Sequence, residues 1–386
     1  MKDYLSFEMK LFLKNKKNQF LFLGVFFLLI SLLFYLSFQN VNDIAEKTKN
    51  EAAIIRNAIA YVPTHEIEEN PATEKYPFYQ HLLNESRAVA SQEVALTMHH
   101  DLNMYVEAGL EVVDVRIQAH QEGYSTLPKE FIIPLSQSLK EREIYHYLQD
   151  RNMQIEPDAQ NGANYLAIAV TWFSAISFFF LLMLLSDVLL QDEEHKTIID
   201  AYPIDSNQKI TGKIVIQTVS SATILVVLFA IGYLLSSFIF RPGTLSYPET
   251  IYWKETFIAI PTYLYIWVFF GLFFVFIIHM ILFSAVLNVV FKNKYLNIFI
   301  GGALYVFGFL FSPQVSMFRF TPISYFDPAG ILNGRLAEQY NQPTNDVLTS
   351  IIVLIIWSSL YAIVLSVLFA KKNRVKVESA KGEDAL

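Results

Sequence analysis

Apolar residues along this chain fall into long uninterrupted runs, and polar residues into the segments between them. A helix needs about 20 apolar residues to cross the hydrocarbon core of a bilayer. Residues 19–38 (QFLFLGVFFLLISLLFYLSF) meet that requirement without a charge. Residues 164–190 follow suit, with Asp187 at the far end, and so do 213–240, 257–291 and 348–370. Residues 295–311 sit at the short limit and read as a further span, making six. The run 257–291 is 35 residues long, enough for one tilted helix or a broken one. The first run exceeds the ~7–15 residues of a signal-peptide core and no A-x-A site follows it, so it reads as an uncleaved anchor.

Two polar stretches carry a helical period. In residues 4–13 (YLSFEMKLFL), Leu5, Met9, Phe12 and Leu13 share a face, and Lys10, Lys14 and Lys17 can reach lipid phosphates. The segment 1–18 is read as an interfacial amphipathic helix; a plain extension of the first span is the alternative. Residues 39–163 form the one long insertion. Ile44, Ile54, Ile55, Ala58 and Ile59 make a stripe closed by Pro63, residues 78–122 are Pro-free and rich in Ala, Glu, Leu and Gln, and Pro128 opens a third helix. Three or four helices packed as a bundle or hairpin are expected, with no sheet. The fold class is therefore an all-α membrane protein with a large helical domain between the first and second spans.

Charge orients this arrangement. The flanks 1–18, 191–213, 292–294 and 371–386 hold 15 Lys and Arg, whereas the loops 241–256 and 312–347 hold four. Positive charge collects on the cytoplasmic side, which places both termini inside and residues 39–163 outside a plasma membrane. The insertion has 10 basic and 20 acidic residues, so the overall net charge of −7 divides into −10 there and +3 elsewhere. Nucleic-acid binding, which wants a basic face, is not expected. The chain has no cysteine, which excludes disulfides, thiolate metal sites and cysteine nucleophiles. His99-His100-Asp101 and His65-Glu66 invite a metal reading, but neighbouring histidines on a helix diverge by about 100° and cannot share an ion unaided. A solvated helical face is the plainer account.

The connection 184–213 (LLSDVLLQDEEHKTIIDAYPIDSNQKITGK) carries the most specific pattern. An acidic cluster, Asp192, Glu193 and Glu194, follows the second span. Lys196-Thr197 and an apolar pair come next, Pro203 breaks the helix, Asp205-Ser206-Asn207 can cap the following one, and Lys213 opens the third span. Physically this is either a short amphipathic helix held beneath the membrane, able to pass force from a soluble partner to the spans, or an ordinary solvated turn. The pattern resembles that of permeases of the type-2 ATP-binding-cassette (ABC) exporter family, including Gram-positive members. They have six spans, an N-terminal interfacial helix, and a first cytoplasmic loop of the form acid-x-acid-x-x-Thr, then Pro, then Lys. Asp192, Glu194, Thr197, Pro203 and Lys213 match those positions, while Lys196 stands where the family usually has glycine. Residues 140–156 also resemble the end of outer domains in Gram-positive members. The resemblance implies that 191–212 is a coupling helix docking on an ATPase subunit, and that two such subunits serve a homo- or heterodimer of permeases.

No G-x-x-x-x-G-K-[ST] occurs, and Thr211-Gly212-Lys213-Ile214 lacks the upstream glycine and the hydroxyl, so ATP and Mg would be held by the partner ATPase and no cofactor by this chain. Within the spans, His279 is a candidate for transport chemistry or for an interhelical hydrogen bond. Asn288 and Asn297 read as interhelical bonds or caps. The loop 312–347, with Pro313, Pro322 and Pro328 among aromatics, reads as a re-entrant segment or an aromatic anchor. The cargo expected on this reading is amphiphilic, such as a peptide, an antimicrobial or a lipid-like molecule, moved outward along Phe- and Tyr-rich surfaces. A membrane sensor with an outer ligand-binding bundle is the main alternative. An outer-domain enzyme lacks clustered catalytic residues, and an ion-coupled transporter would show inverted repeats and mid-membrane charges.

Overall fold

A computed structural model describes residues 1–38, 43–62, 79–122, 124, 127–156, 160–311 and 319–383, except for the side chains of residues 122, 193, 194, 196, 200, 206, 207 and 370–383. About 80% of the chain is helical. Among the described residues, six helices are long and apolar enough to cross a membrane: α2 (Lys16–Phe38), α7 (Gly162–Leu185), α10 (Ser206–Ile239), α11 (Thr262–Phe291), α12 (Lys294–Phe311) and the first part of α15 (Val347–Glu383). This is a multi-pass membrane protein. Helices α7 and α11 are the most enclosed, and α12 and α15 the least.

The core of the bundle is aromatic. Phe173 packs edge-on against Phe180, Phe229 and Phe273, at centroid distances of 5.8, 5.6 and 5.3 Å. Phe269 stacks on Phe273, and Phe178 on Tyr305. Offset and edge-to-face pairs add to burial because the ring edge is positive and its face negative. Much of the Phe and Tyr content is thus committed to packing within this chain. A second set, including Phe20, Phe27, Trp267, Phe299 and Phe307, is exposed on the outside of the bundle.

At the end that carries both termini, α1 (Lys2–Lys14) lies before α2, separated from it by Asn15. Asn15 Oδ1 accepts from Lys17 N, and Asn18 Nδ2 donates to Phe12 O, so the elbow is closed by side chains. At the opposite end lies the insert: α3 (Ile44–Tyr61), α4 (Tyr79–Val94), α5 (Leu102–Glu122) and α6 (Leu135–Asp150). The Pro-free run 78–122 forms two helices, which brings the insert to four among the described residues, of the three or four expected. A π-turn at Ala95–His99 and His100 in the left-handed region (φ 50°) break the run, and Asp101 caps α5 by accepting from Asn103 N and Met104 N. The helix expected to open at Pro128 is α6, which starts after Pro134.

A hairpin departs from the all-helical expectation. β1 (Pro248–Trp253) pairs antiparallel with β2 (Thr256–Pro261), in register Thr250 opposite Ala259 and Tyr252 opposite Phe257. Lys254 and Glu255 form the two-residue turn, both at positive φ (48° and 65°), the twist that tight hairpins require. The run 257–291 therefore begins as a strand, and its helix starts at Thr262. The hairpin packs on α6 and on the top of α11, joining the insert to the bundle.

Within 319–347 the chain turns inward. Ser324, Tyr325 and Pro328–Leu332 (α13) are buried, and α14 (Arg335–Gln339) follows. Ser174, midway along α7, donates to Asp327 Oδ1 (2.7 Å) and accepts from Ala329 N (2.8 Å). At about 1.5 Å rise per residue, Ser174 lies roughly 20 Å along α7 from Asp187, in the middle of that apolar helix. Residues 312–318 lie outside the described ones.

Candidate functional site

The residues expected to couple this chain to a partner fall where α7 gives way to α10. A helix end leaves carbonyls without intrahelical donors, and inside a bundle side chains must supply them. Three helices do so here. Ser284 donates to Leu185 O (2.5 Å), Asn288 Nδ2 to Ser186 O (2.8 Å) and Asn297 Nδ2 to the same oxygen (3.0 Å). Asn288 Oδ1 accepts from Leu189 N (3.1 Å), so this residue spans the 186–190 turn on both sides. Lys17 of α2 donates to Leu184 O (3.0 Å) and pairs with Asp187 Oδ1 (2.5 Å). The root of the connection is thereby tied to α2, α11 and α12.

The far end is closed by a second cluster. The Lys213 side chain is 1% exposed, and its ammonium pairs with Asp192 and lies 3.7 Å from Glu8 Oε1 of α1. Burial pushes the Glu8 carboxyl up, against the pull of Lys213. The Tyr4 hydroxyl donates to Lys209 O (3.1 Å), and the Tyr4 and Phe7 rings pack on Tyr202. Lys209 Nζ in turn donates to Ile199 O (2.8 Å) in α9 (Lys196–Asp200), which follows the single turn α8 (Gln191–Glu194). Gly212 permits this approach, because a Cβ there would stand 3.1 Å from both Tyr4 and Leu5.

Of the residues singled out from sequence, Asp192 and Lys213 are thus brought together with Glu8, while Thr197 and Pro203 are exposed on the connection. The side chains of Glu193 and Glu194 lie outside the described residues. Asp192 is engaged internally with Lys213. His279 is buried in the α11–α15 contact, with Nδ1 3.3 Å from Ser358 Oγ and its ring 5.4 Å from that of Tyr361. Ser358 Oγ donates to Leu354 O, which leaves the imidazole Nδ1–H to donate to Ser358. This is an interhelical hydrogen bond.

No family model, curated protein or solved structure matches this chain.

For three participants the sequence alone does not give the role. Tyr4, Glu8 and Phe12 recur every four residues on the buried face of α1, and a carboxylate inside an apolar stripe is the signal that marks Glu8. Asn297 reads from sequence as an interhelical bond or cap, but its sharing of Ser186 O with Asn288 follows only from the packing of α11 on α12. The third is Asp327, which sits within the spans, paired with Arg335 and accepting from Gly330 N (3.1 Å). No group of three His, Asp or Glu among the described residues is placed to hold a metal ion. His99 and His100 are exposed, and His65-Glu66 lies outside the described residues.

Proposed function

We propose that this chain is the membrane subunit of an ABC exporter, working as a pair of permeases with two copies of a separate ATPase that binds ATP and Mg. On this reading the chain lies in the plasma membrane with both termini cytoplasmic and the insert extracellular, and the cargo is amphiphilic. One observation carries the proposal. The 186–213 connection is held at its root by α2, α11 and α12 and at its end by α1, through Glu8, Asp192 and Lys213. An element so clamped cannot move alone, so a displacement imposed on it from the cytosol is passed to at least four helices as a rigid-body shift. A solvated turn would dissipate it. Thr197 and Pro203, exposed on the connection, are the surface offered to the ATPase.

The test uses the absence of native cysteine. Thr197→Cys, carrying a short photo-crosslinker, is expected to capture an ATPase subunit in native membranes. The complex, purified and reconstituted in vesicles, is expected to hydrolyse ATP. Recovery of the chain from its own membranes with no ATPase attached, by crosslink or co-purification, would sink the proposal.

A further inference from the structure

A groove of about 710 Å³ opens beside the clamped connection, between the α1–α2 elbow, the end of α7 and the start of α12. Three ammonium groups from different elements line it: Lys14, Lys17 and Lys294. Lys17 is neutralised by Asp187, the pair sitting on the groove wall. Lys14 and Lys294 face no carboxylate among the described residues, and the field of Lys294 reaches Lys17. Among the described residues the groove carries an excess of two positive charges over an apolar lining that includes Leu21, Met183 and Ile298. Leu21 belongs to α2 and Ile298 to α12, so this lining descends along the spans.

We propose that this groove is a binding site for one anionic phospholipid, its phosphate held by Lys14 and Lys294 and one acyl chain laid against Leu21, Met183 and Ile298. Charge complementarity selects the headgroup. Three features select a lipid over a soluble anion: the apolar lining, the volume, and the position where two spans begin. Basic pockets between transmembrane helices at the membrane surface take such headgroups for this reason. A lipid bound here bridges the α1–α2 elbow to α12 and braces the root of the 186–190 turn. The site stands without the exporter reading; on the orientation proposed above, the lipid belongs to the inner leaflet.

The test is retention of phosphatidylglycerol by the full chain, measured by native mass spectrometry after exchange from nanodiscs of phosphatidylcholine with and without phosphatidylglycerol. Each lysine near an anionic headgroup changes affinity about fivefold, so the Lys14→Gln, Lys294→Gln double variant should lose roughly 30-fold. Asp187→Asn frees the charge of Lys17 and should tighten retention about fivefold, the opposite sign. Lys2→Gln with Lys10→Gln makes the same charge change on α1 outside the groove and should leave retention unchanged. Equal losses in the two double variants would overturn the site, as would an unchanged Lys14/Lys294 variant. Displacement of the lipid by millimolar inorganic phosphate would overturn the lipid assignment in favour of a soluble anion. If the Lys14/Lys294 double variant does not fold, Lys14→Arg with Lys294→Arg decides: preserved retention supports the site and loss overturns it.

Discussion

Truncating Arg116 would leave Glu51, Glu85 and Glu141 facing one another inside the insert with Lys47 as their only cation among the described residues. The guanidinium, 1% exposed, donates to Glu51 Oε2 (2.7 Å) and to Glu85, and lies 3.6 Å from Glu141. Tyr124 donates to Glu85 (2.9 Å), and Lys47 pairs with Glu141 at 2.9 Å. Burial works against the Glu141 charge, but Lys47 and Arg116 overcome it and hold the carboxyl below its usual range. Removing one partner from such a network costs about 3–5 kcal/mol, since the remaining charges stay desolvated. Arg116→Met should therefore make the insert cleavable by protease under conditions where the spans stay intact; undiminished resistance would count against the network's role. Glu249 presents the opposite case. It lines a cavity of about 480 Å³ between the insert and the bundle, and burial pushes its carboxyl up to about 7. A raised carboxylate binds its proton in the folded state while the unfolded chain has lost it. Stability on this account falls as pH rises from about 4.5 to 7. Glu249→Gln should flatten that part of a melting-temperature profile taken in detergent, and an unaltered slope would show that Glu249 is not its source.

Helices here are joined through their ends. Asn288 serves two backbone groups of the 186–190 turn, so Asn288→Ala leaves Leu189 N without its acceptor and Ser186 O with Asn297 alone. Leaving a buried polar group unmade costs about 1–3 kcal/mol. Amide hydrogen exchange at Leu189 should accelerate by about 5- to 150-fold while exchange in the middle of α7 is unaffected. Uniform acceleration along α7 would mean that the clamp does not act locally. The limits of these helices were largely legible in the residues. The span limits were read to within a few positions wherever apolar residues gave way to Lys, Asp or Asn. The break at His100 was not, because no Pro or Gly marks it and it depends on a π-turn closed by packing of α4 on α5. The hairpin was also missed, although Thr250-Ile-Tyr-Trp253 and Thr256-Phe-Ile258 flank a two-residue turn. Its second strand runs directly into α11, and period-2 alternation is hidden in an unbroken apolar run.

The whole molecule is a membrane bundle with an acidic helical insert at one end and a clamped connection at the other. Orientation is tested by labelling single cysteines on this cysteine-free chain. Met98→Cys, at a residue 75% exposed on the insert, should react with an impermeant maleimide added to intact cells, and Thr197→Cys only after permeabilisation. The reverse pattern would invert the orientation and remove the coupling assignment with it.

Span number, the helical character of the insert and the crowding of basic residues at one end follow from composition along the chain, because burial in lipid or in a helical core demands a local run or period of apolar residues. Which polar groups meet is different in kind. Glu8 reaches Lys213 across 205 positions, Asn288 and Asn297 converge on one carbonyl, and Asp327 reaches Ser174 in the interior of the bundle. Each pairing satisfies a group that would otherwise be buried without a partner, and only the packing of the helices determines which groups those are.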